Sequence, residues 1–290
     1  NPEYESRTYR AVISFSDRDD LWDKWTELYT NLFDPDHKQH AREFYLEHEA
    51  EMLKGTEVLW PEKLDYYKLM VIKVSDGDAA FNSELQNDPI DPDSASFQEE
   101  WMDYYEPELV DFKDIRYVFV GANDPSLGKN KKSDTSAIIN LAVDLYSGYL
   151  YIEMASIEKR KPDQIIKDIF EANRRLKRDY GKGFYKFGVE TVQFQYFFKE
   201  VMAQLSAELG EYIPIEEIQS TVNKMLRIES LQPYIKNGYI KFNAKHKTLI
   251  KQLLEYPMGR NDDGPDALQM AVALALTIRV LAAKPEYQSV

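Results

Sequence analysis

The stretch RYVFVGAND, from Arg116 to Asp124, begins the part of the chain whose pattern determines the fold. An apolar run that ends in one carboxylate predicts a buried strand with Asp124 at its carboxyl end. The sequence continues PSLGKN, which resembles a phosphate-binding loop, but six residues separate Gly121 from Gly128 and asparagine follows Lys129. Such a loop needs four residues between its glycines, and Ser or Thr after its lysine. The stretch therefore predicts a strand that carries a carboxylate, and it argues against an ATP site.

The residues after this strand alternate between strand and helix patterns. SAIINLAVD and YLYIEMAS predict two more strands, joined to each other by a tight turn at Ser147-Gly148. An amphipathic helix from Pro162 to Tyr180 and the strand KFGVE, which ends at Glu190, come next. The later predictions are helices near Gln195–Glu208, Asn223–Lys236 and Lys247–Glu255, the strands IPIEEI and YIKF, and a last helix entered through DDGPD.

The order of these elements is β-β-β-α-β-α-β-α, with extra elements towards the end. It predicts an α/β fold with a ribonuclease-H-like mixed sheet flanked by helices. The order is shared by other mixed sheets, so it indicates a class of fold and not an activity.

The acidic residues are concentrated in the first part of the chain. The net charge is −14, yet residues 1–114 carry 29 acidic and 11 basic residues, against 21 and 25 for residues 115–290. The first part contains the alternating stretch YRAVISFS and helical patterns near Leu21–Leu32, Arg42–Leu53 and Pro61–Met70, which predict a smaller acidic α/β or mostly helical segment. NDPIDPDSAS, from Asn87 to Ser96, predicts a linker. We expect two modules, residues 1–110 and residues 111–290.

Composition excludes several classes of protein. The chain has no cysteine, so it has neither disulfides nor thiolate metal sites. No apolar run approaches the roughly 20 residues that span a bilayer. We expect a soluble cytoplasmic protein.

Several acidic residues lie at positions in the predicted elements where they could form a metal site. Asp124 and Glu190 end predicted strands, and Asp262, Asp263 and Asp266 cluster at the start of the last helix. Neighbouring strands lie about 4.8 Å apart, so carboxylates at their ends can share an ion. Oxygen ligands alone suit Mg²⁺ or Mn²⁺, and two such ions support hydrolysis of a phosphodiester. The pattern predicts a metal-dependent hydrolase that acts on nucleic acid.

Structural roles could also explain these residues one by one. Asp124 precedes a proline and could be a turn residue. Asp263 could cap a helix, and Asp266 could be an acid favoured by the helix dipole. Glu190 is harder to explain, because it ends an apolar strand where an unpaired carboxylate is costly to bury.

Several longer motifs resemble one family. They are VGANDPSLGKNKKSDTSAI, KFGVETVQFQ, NKMLRIESLQPYIKNGYIKF and GRNDDGPDALQMA, together with the upstream segments VLWPEKLDYYKLM and AFNSELQNDP. The chain resembles the nuclease half of viral large terminase subunits, including those of tailed bacteriophages, preceded by part of the ATPase module and linker. The resemblance implies a ribonuclease-H-like endonuclease that cuts concatemeric double-stranded DNA during genome packaging. Residues 1–110 would then be the acidic tail of the ATPase module with the linker, and residues 111–290 the nuclease domain.

The resemblance also implies a set of site residues and partners. Two Mg²⁺ or Mn²⁺ ions would be held by Asp124, Glu190, Asp263 and Asp266, with Asp262 as the substitute for one of the last two. The partners implied are double-stranded DNA, a portal protein and a small terminase subunit, in the cytoplasm of the host cell, with no membrane.

Basic residues that could contact DNA phosphates are less clearly marked. The candidates are Lys129, Lys131 and Lys132 in the loop after the first strand, and Lys224 and Arg227 on one face of a later helix. The basic residues between Arg174 and Arg178 are interpreted as a solvated helix face. None of the four histidines is assigned to metal.

Two other kinds of protein fit parts of the pattern. Another ribonuclease-H-like enzyme, such as a transposase, an integrase or a junction resolvase, could use the same carboxylates. A non-catalytic structural protein could dock on an assembly through its acidic module.

Overall fold

The computed structural model describes residues 9–31, 34, 36–87, 96–125, 135–190, 195–218 and 223–278. The loop lysines 129, 131 and 132 and most of the predicted linker lie outside the described residues. Within the described part, none of the helices combines the length and apolar character that a membrane span needs.

The first part of the chain forms a helical cluster with one small sheet. Its helices are α1 (Asp19–Tyr29), α2 (His37–Met52), α3 (Tyr66–Asp76) and α4 (Asp78–Leu85), and its strands are β1 (Val12–Ser14) and β2 (Glu57–Val58), which pair antiparallel. Aromatic side chains fill its core, where the Trp22 ring meets those of Trp25 and Tyr66 edge to face at 5.2 and 5.3 Å. The prediction of a small, mostly helical segment agrees with these elements.

The second part contains a seven-stranded sheet. Its strands are β3 (Asp103–Tyr104), β4 (Tyr117–Asp124), β5 (Ser136–Asp144), β6 (Leu150–Glu158), β7 (Phe184–Glu190), β8 (Ile215–Ile218) and β9 (Ile240–Phe242). Its helices are α5 (Pro162–Tyr180), α6 (Gln195–Leu209), α7 (Lys224–Glu229), α8 (Gln232–Lys236), α9 (Lys247–Leu254) and α10 (Asp263–Leu276).

The order of the strands across this sheet is β3-β9-β6-β5-β4-β7-β8. β4, β5 and β6 form the antiparallel meander, whereas β7 pairs parallel to β4 and β8 parallel to β7. Helices cover both faces. This mixed sheet, with its meander beside two parallel strands, confirms the predicted ribonuclease-H-like fold.

Two apolar cores lie on opposite faces of the sheet. β4 alternates between them, because Val120 and Ala122 pack with α10 whereas Phe119 packs with α5. The long apolar side of α5, which includes Ile166 and Ile169, covers the second face. β5 is buried along its whole length, as expected for a central strand with helices on both faces.

Two helix predictions need correction. The single helix predicted from Asn223 to Lys236 is interrupted near Ser230, and the structure has two short helices, α7 and α8, in its place. Pro233 lies in the first turn of α8, where a residue has no hydrogen bond to donate within the helix. In the interior of a single helix that began at α7, the missing N–H of proline would break a hydrogen bond. The helix predicted from Pro61 begins only at Tyr66, after the Asp65 side chain accepts a hydrogen bond from the Lys68 N–H and caps it.

Candidate metal centre

The carboxyl ends of two neighbouring strands bring Asp124 and Glu190 together. β4 and β7 are parallel, and Asn123 pairs with Val189, so the next residue of each strand lies at the same edge of the sheet. α10 packs across β4, β5 and β7 with its first turn at this edge. A Cβ at Gly188 would lie 2.6 Å from Cδ1 of Leu274, so the glycine lets α10 approach β7 closely.

Three carboxylates converge at this edge. One oxygen each from Asp124, Glu190 and Asp266 lies within 4.8 Å of the other two. Asp124 and Asp266 are buried, with 3% and 1% of the residue exposed. Repulsion between such close charges in a buried site requires a neutralising cation.

The donor set fits a hard divalent ion. All three ligands are carboxylates, which suit Mg²⁺ and Mn²⁺. The Oδ1 atom of Asp266 is buried and accepts no hydrogen bond from the described residues. A buried carboxylate oxygen without a donor is costly, and a metal ion would satisfy it.

Two cationic side chains of α7 lie against the carboxylates. Lys224 Nζ is 3.2 Å from Asp124 Oδ2, 3.0 Å from Asp262 Oδ1 and 3.2 Å from Asp266 Oδ2. Arg227 donates from Nη2 to Asp266 at 2.7 Å and from Nη1 to Glu190 at 3.2 Å. Lys224 and Arg227, two of the five residues predicted to contact DNA phosphates, share one helix face as predicted. This face lies against the three carboxylates.

The pKa values of both cations reflect this position. Burial on its own would lower the pKa of the Lys224 ammonium, but the charges of Asp124, Asp266 and Asp262 raise it above the ordinary value. For Arg227, burial also acts to lower the pKa, and the carboxylates of Asp266 and Glu190 raise it. Both side chains are therefore held in their charged form.

The other aspartates at the start of α10 point elsewhere. Asp263 is buried and accepts a hydrogen bond from the hydroxyl of Thr135, next to the start of β5. Asp262 is half-exposed and reaches the cluster through Lys224. Asp266, one helical turn after Asp262, is the α10 residue among the three carboxylates that converge. The role of metal ligand for Asp263 stays a prediction.

The basic residues of α5 pair with carboxylates other than the three that converge. Arg175 is paired with Glu153 at 2.5 Å and is only 26% exposed, so it departs from the solvated face that was predicted, whereas Arg174, paired with Glu211 at 3.0 Å, stays 42% exposed. The histidines of the chain belong to none of the described groups that could hold a metal.

Sequence reasoning missed the counter-ion role of α7. A lysine and an arginine three residues apart lie on one helix face, and that spacing was the available signal. It does not tell which neighbour the face meets. Thr135 was also missed, because a lone hydroxyl before a strand carries no distinctive pattern.

No protein-family model matches the chain, and no curated protein matches it. The fold resembles the human cytomegalovirus terminase nuclease domain, with 14% identity, a TM-score of 0.47, and coverage of 65% of this chain and 99% of that one. It also resembles the P22 large terminase nuclease domain, with 14% identity, a TM-score of 0.43, and coverage of 64% and 93%. For the large terminase of a thermophilic bacteriophage, identity is 10%, the TM-score 0.48, and coverage 74% of this chain and 52% of that one.

These are nuclease domains and a large subunit of the family that the motifs resemble. Likenesses at these identities and TM-scores show no activity for this chain.

Proposed function

We propose that this chain is a metal-dependent endonuclease that cuts double-stranded DNA, the nuclease of a viral large terminase subunit. The convergence of Asp124, Glu190 and Asp266 at the edge of a ribonuclease-H-like sheet carries the proposal. The three carboxylates come from elements separated in the chain, and Lys224 and Arg227 offset only part of their repulsion and desolvation cost.

The three carboxylates would hold Mg²⁺ or Mn²⁺. When bound, two such ions activate a water molecule and stabilise the leaving oxygen of a phosphodiester. Asp124 and Asp266 are buried, so their side chains are fixed by packing, and Arg227 holds Glu190 and Asp266 from the other side. Carboxylates held in this way keep their positions when an ion binds.

The substrate follows from the chemistry and from the motifs. Hydrolysis by two divalent ions suits a nucleic-acid backbone. Double-stranded concatemeric DNA is the substrate that the resemblance to viral large terminases implies. Assembly with a portal protein and a small terminase subunit, and action in the host cell, belong to the same proposal. The loop lysines 129, 131 and 132 are proposed to contact the backbone beside the ions.

Nicking of supercoiled plasmid tests the proposal. Purified protein with Mn²⁺ or Mg²⁺ should convert supercoiled DNA to nicked and linear forms, and EDTA should stop the reaction. Asp124→Asn should reduce the rate by at least about 100-fold, since it removes a ligand while keeping the shape of the side chain. Asp179→Asn, which changes a partly exposed carboxylate paired with Arg178, is the matched control and should cut at the wild-type rate.

The same assay separates the alternatives. A strand-transfer enzyme would join a labelled oligonucleotide to the plasmid, whereas a docking protein would leave the plasmid intact at every metal concentration. Either result, or cleavage by Asp124→Asn at the wild-type rate, contradicts the proposal.

A further inference from the structure

We propose that Lys224 is a built-in competitor of the divalent ion: its ammonium occupies the acidic cluster and has to leave before metal binds. The inference rests on the proposed function, because it concerns the same carboxylates. It assigns to Lys224 the control of metal affinity, in place of the contact with DNA phosphate that its spacing predicts.

The first support is the position of the ammonium. Lys224 Nζ lies 3.0–3.2 Å from one oxygen each of Asp124, Asp262 and Asp266. Asp124 and Asp266 belong to the group of carboxylates that would bind the metal, and Lys224 engages Oδ2 of each. An ammonium and a divalent ion cannot both occupy the space between those oxygens.

The second support is the charge of the cluster. Asp124, Glu190, Asp262 and Asp266 carry four formal negative charges, and Lys224 and Arg227 return two positive ones. Two divalent ions added to this cluster would leave it with a net positive charge. Departure of Lys224 brings the cluster closer to neutral and restores two oxygens to the ions.

The third support is the difference between the two cations. The side chain of Lys224 is 39% exposed, at the first residue of α7, so its ammonium can turn outward to water. The side chain of Arg227 is 9% exposed, between Glu190 and Asp266. Lysine has a flexible stem and a compact charge, whereas the guanidinium fork is held at two places. Lys224 is therefore the cation that leaves, and Arg227 is the one that stays.

Titration of the metal-free protein with Mn²⁺, with free Mn²⁺ counted by electron paramagnetic resonance, tests the inference without an activity assay. Lys224→Met should tighten Mn²⁺ binding at least about tenfold, because the competing charge is gone. Lys224→Gln keeps hydrogen-bond donors without the charge and should shift affinity in the same direction. Lys224→Arg keeps the charge and should bind weakly, like the wild type.

Lys245→Met, which changes an exposed lysine between β9 and α9, is the control and should leave the Mn²⁺ affinity unchanged. Without metal, Lys224→Met and Lys224→Gln should melt at lower temperature than the wild type, and Mn²⁺ should reverse the difference. If Lys224→Met does not fold without metal, the Mn²⁺ affinity of Lys224→Gln tests the inference in its place.

Asp124→Asn in the same titration distinguishes a failure of the competition by Lys224 from a failure of the metal site itself. Weaker Mn²⁺ binding by Asp124→Asn with unchanged or weaker binding by both neutral Lys224 variants keeps the metal site and overturns the competition. Unchanged Mn²⁺ binding by Asp124→Asn, or none by the wild type and all variants, overturns the metal site and the competition with it.

Discussion

Arg227 donates a hydrogen bond of 2.7 Å to Asp266, and the two side chains are 9% and 1% exposed. The same guanidinium reaches Glu190 at 3.2 Å, so one cation joins carboxylates that come from β7 and α10. Breaking a buried ion pair by removing one partner leaves an uncompensated charge, which is far more costly than losing a surface pair. Arg227 therefore links the sheet to the helix at the site.

Replacement of this cation should destabilise the metal-free protein. Arg227→Met should lower the free energy of unfolding by about 3 kcal/mol, because Asp266 stays buried with only Lys224 beside it and Glu190 loses its cation. Urea unfolding in EDTA measures the change. Arg174→Met removes a pair whose arginine is 42% exposed and should cost about 1 kcal/mol or less. Equal losses for the two variants would show that Arg227 contributes no more than a surface pair.

Divalent ions should stabilise the folded chain. A ligand that binds only the folded state adds RT ln(1 + [L]/Kd), about 2.7 kcal/mol at a hundredfold excess over Kd. Mn²⁺ should raise the melting temperature, and EDTA should return it to the metal-free value. Asp124→Asn should shrink this shift and leave the metal-free protein as stable as the wild type or slightly more so, since it removes one repelling charge. An unfolded Asp124→Asn protein would instead identify Asp124 as a structural turn residue.

Glu229 should make stability depend on pH. The residue is 1% exposed, its Oε2 atom has no hydrogen-bond partner among the described residues, and Ser96 donates to Oε1 at 3.1 Å. Burial raises the pKa of this carboxyl, although the Ser96 hydroxyl acts in the opposite direction. The folded state therefore holds the proton to higher pH than the unfolded state, and stability falls as pH rises above about 4.5, the ordinary pKa.

Glu229→Gln keeps the shape of the protonated side chain at every pH. It should melt above the wild type at pH 7, and the difference should disappear below pH about 4, where both states of the wild type are protonated. Thermal melts in EDTA across this range measure the effect. Glu108→Gln, at an exposed residue, is the control and should show no such trend. A wild-type advantage at pH 7 would contradict the assignment.

Limited proteolysis should cut first between residues 87 and 97. Phe97 and Met102 are buried in the core on the α10 face, and Asp103 and Tyr104 pair with β9. A fragment that begins after residue 110 would lose these contacts, so the stable product should begin before Phe97. Mass spectrometry of the product identifies its first residue. The boundary at residue 110 stays a prediction, and a first cut within β4–β6 would contradict a boundary in this region.

The carboxyl ends of two strands could be predicted from the sequence, because each apolar run stops at an acidic residue. Asp124 and Glu190 each close such a run, and a parallel pairing of the two strands puts them at one edge. The α10 residue that joins these two carboxylates could not be singled out from the sequence. Asp263 and Asp266 both lie in the first turn of α10, and the direction of each side chain depends on how the helix is rotated against the sheet. That rotation is fixed by the packing of α10 with β4 and β5, which pattern alone does not contain.

The partners of Lys224 and Arg227 could not be predicted for a related reason. Their spacing places both on one face of a helix, and a basic face beside an acidic site could meet a phosphate or the site itself. α7 contains only six residues, so its direction is set by the break before α8 and by the neighbouring α10. Such breaks depend on tertiary packing more than on local propensity.

The order of the strands has a consequence for synthesis. Asp124 and Glu190 lie on adjacent strands, but Asp266 belongs to the last described helix, which follows every strand of the sheet in the chain. A nascent chain on the ribosome presents two of the three carboxylates well before the third has been made. The cluster is therefore complete only after α10 has left the exit tunnel and docked on a finished sheet, so an incomplete translation product lacks the third carboxylate.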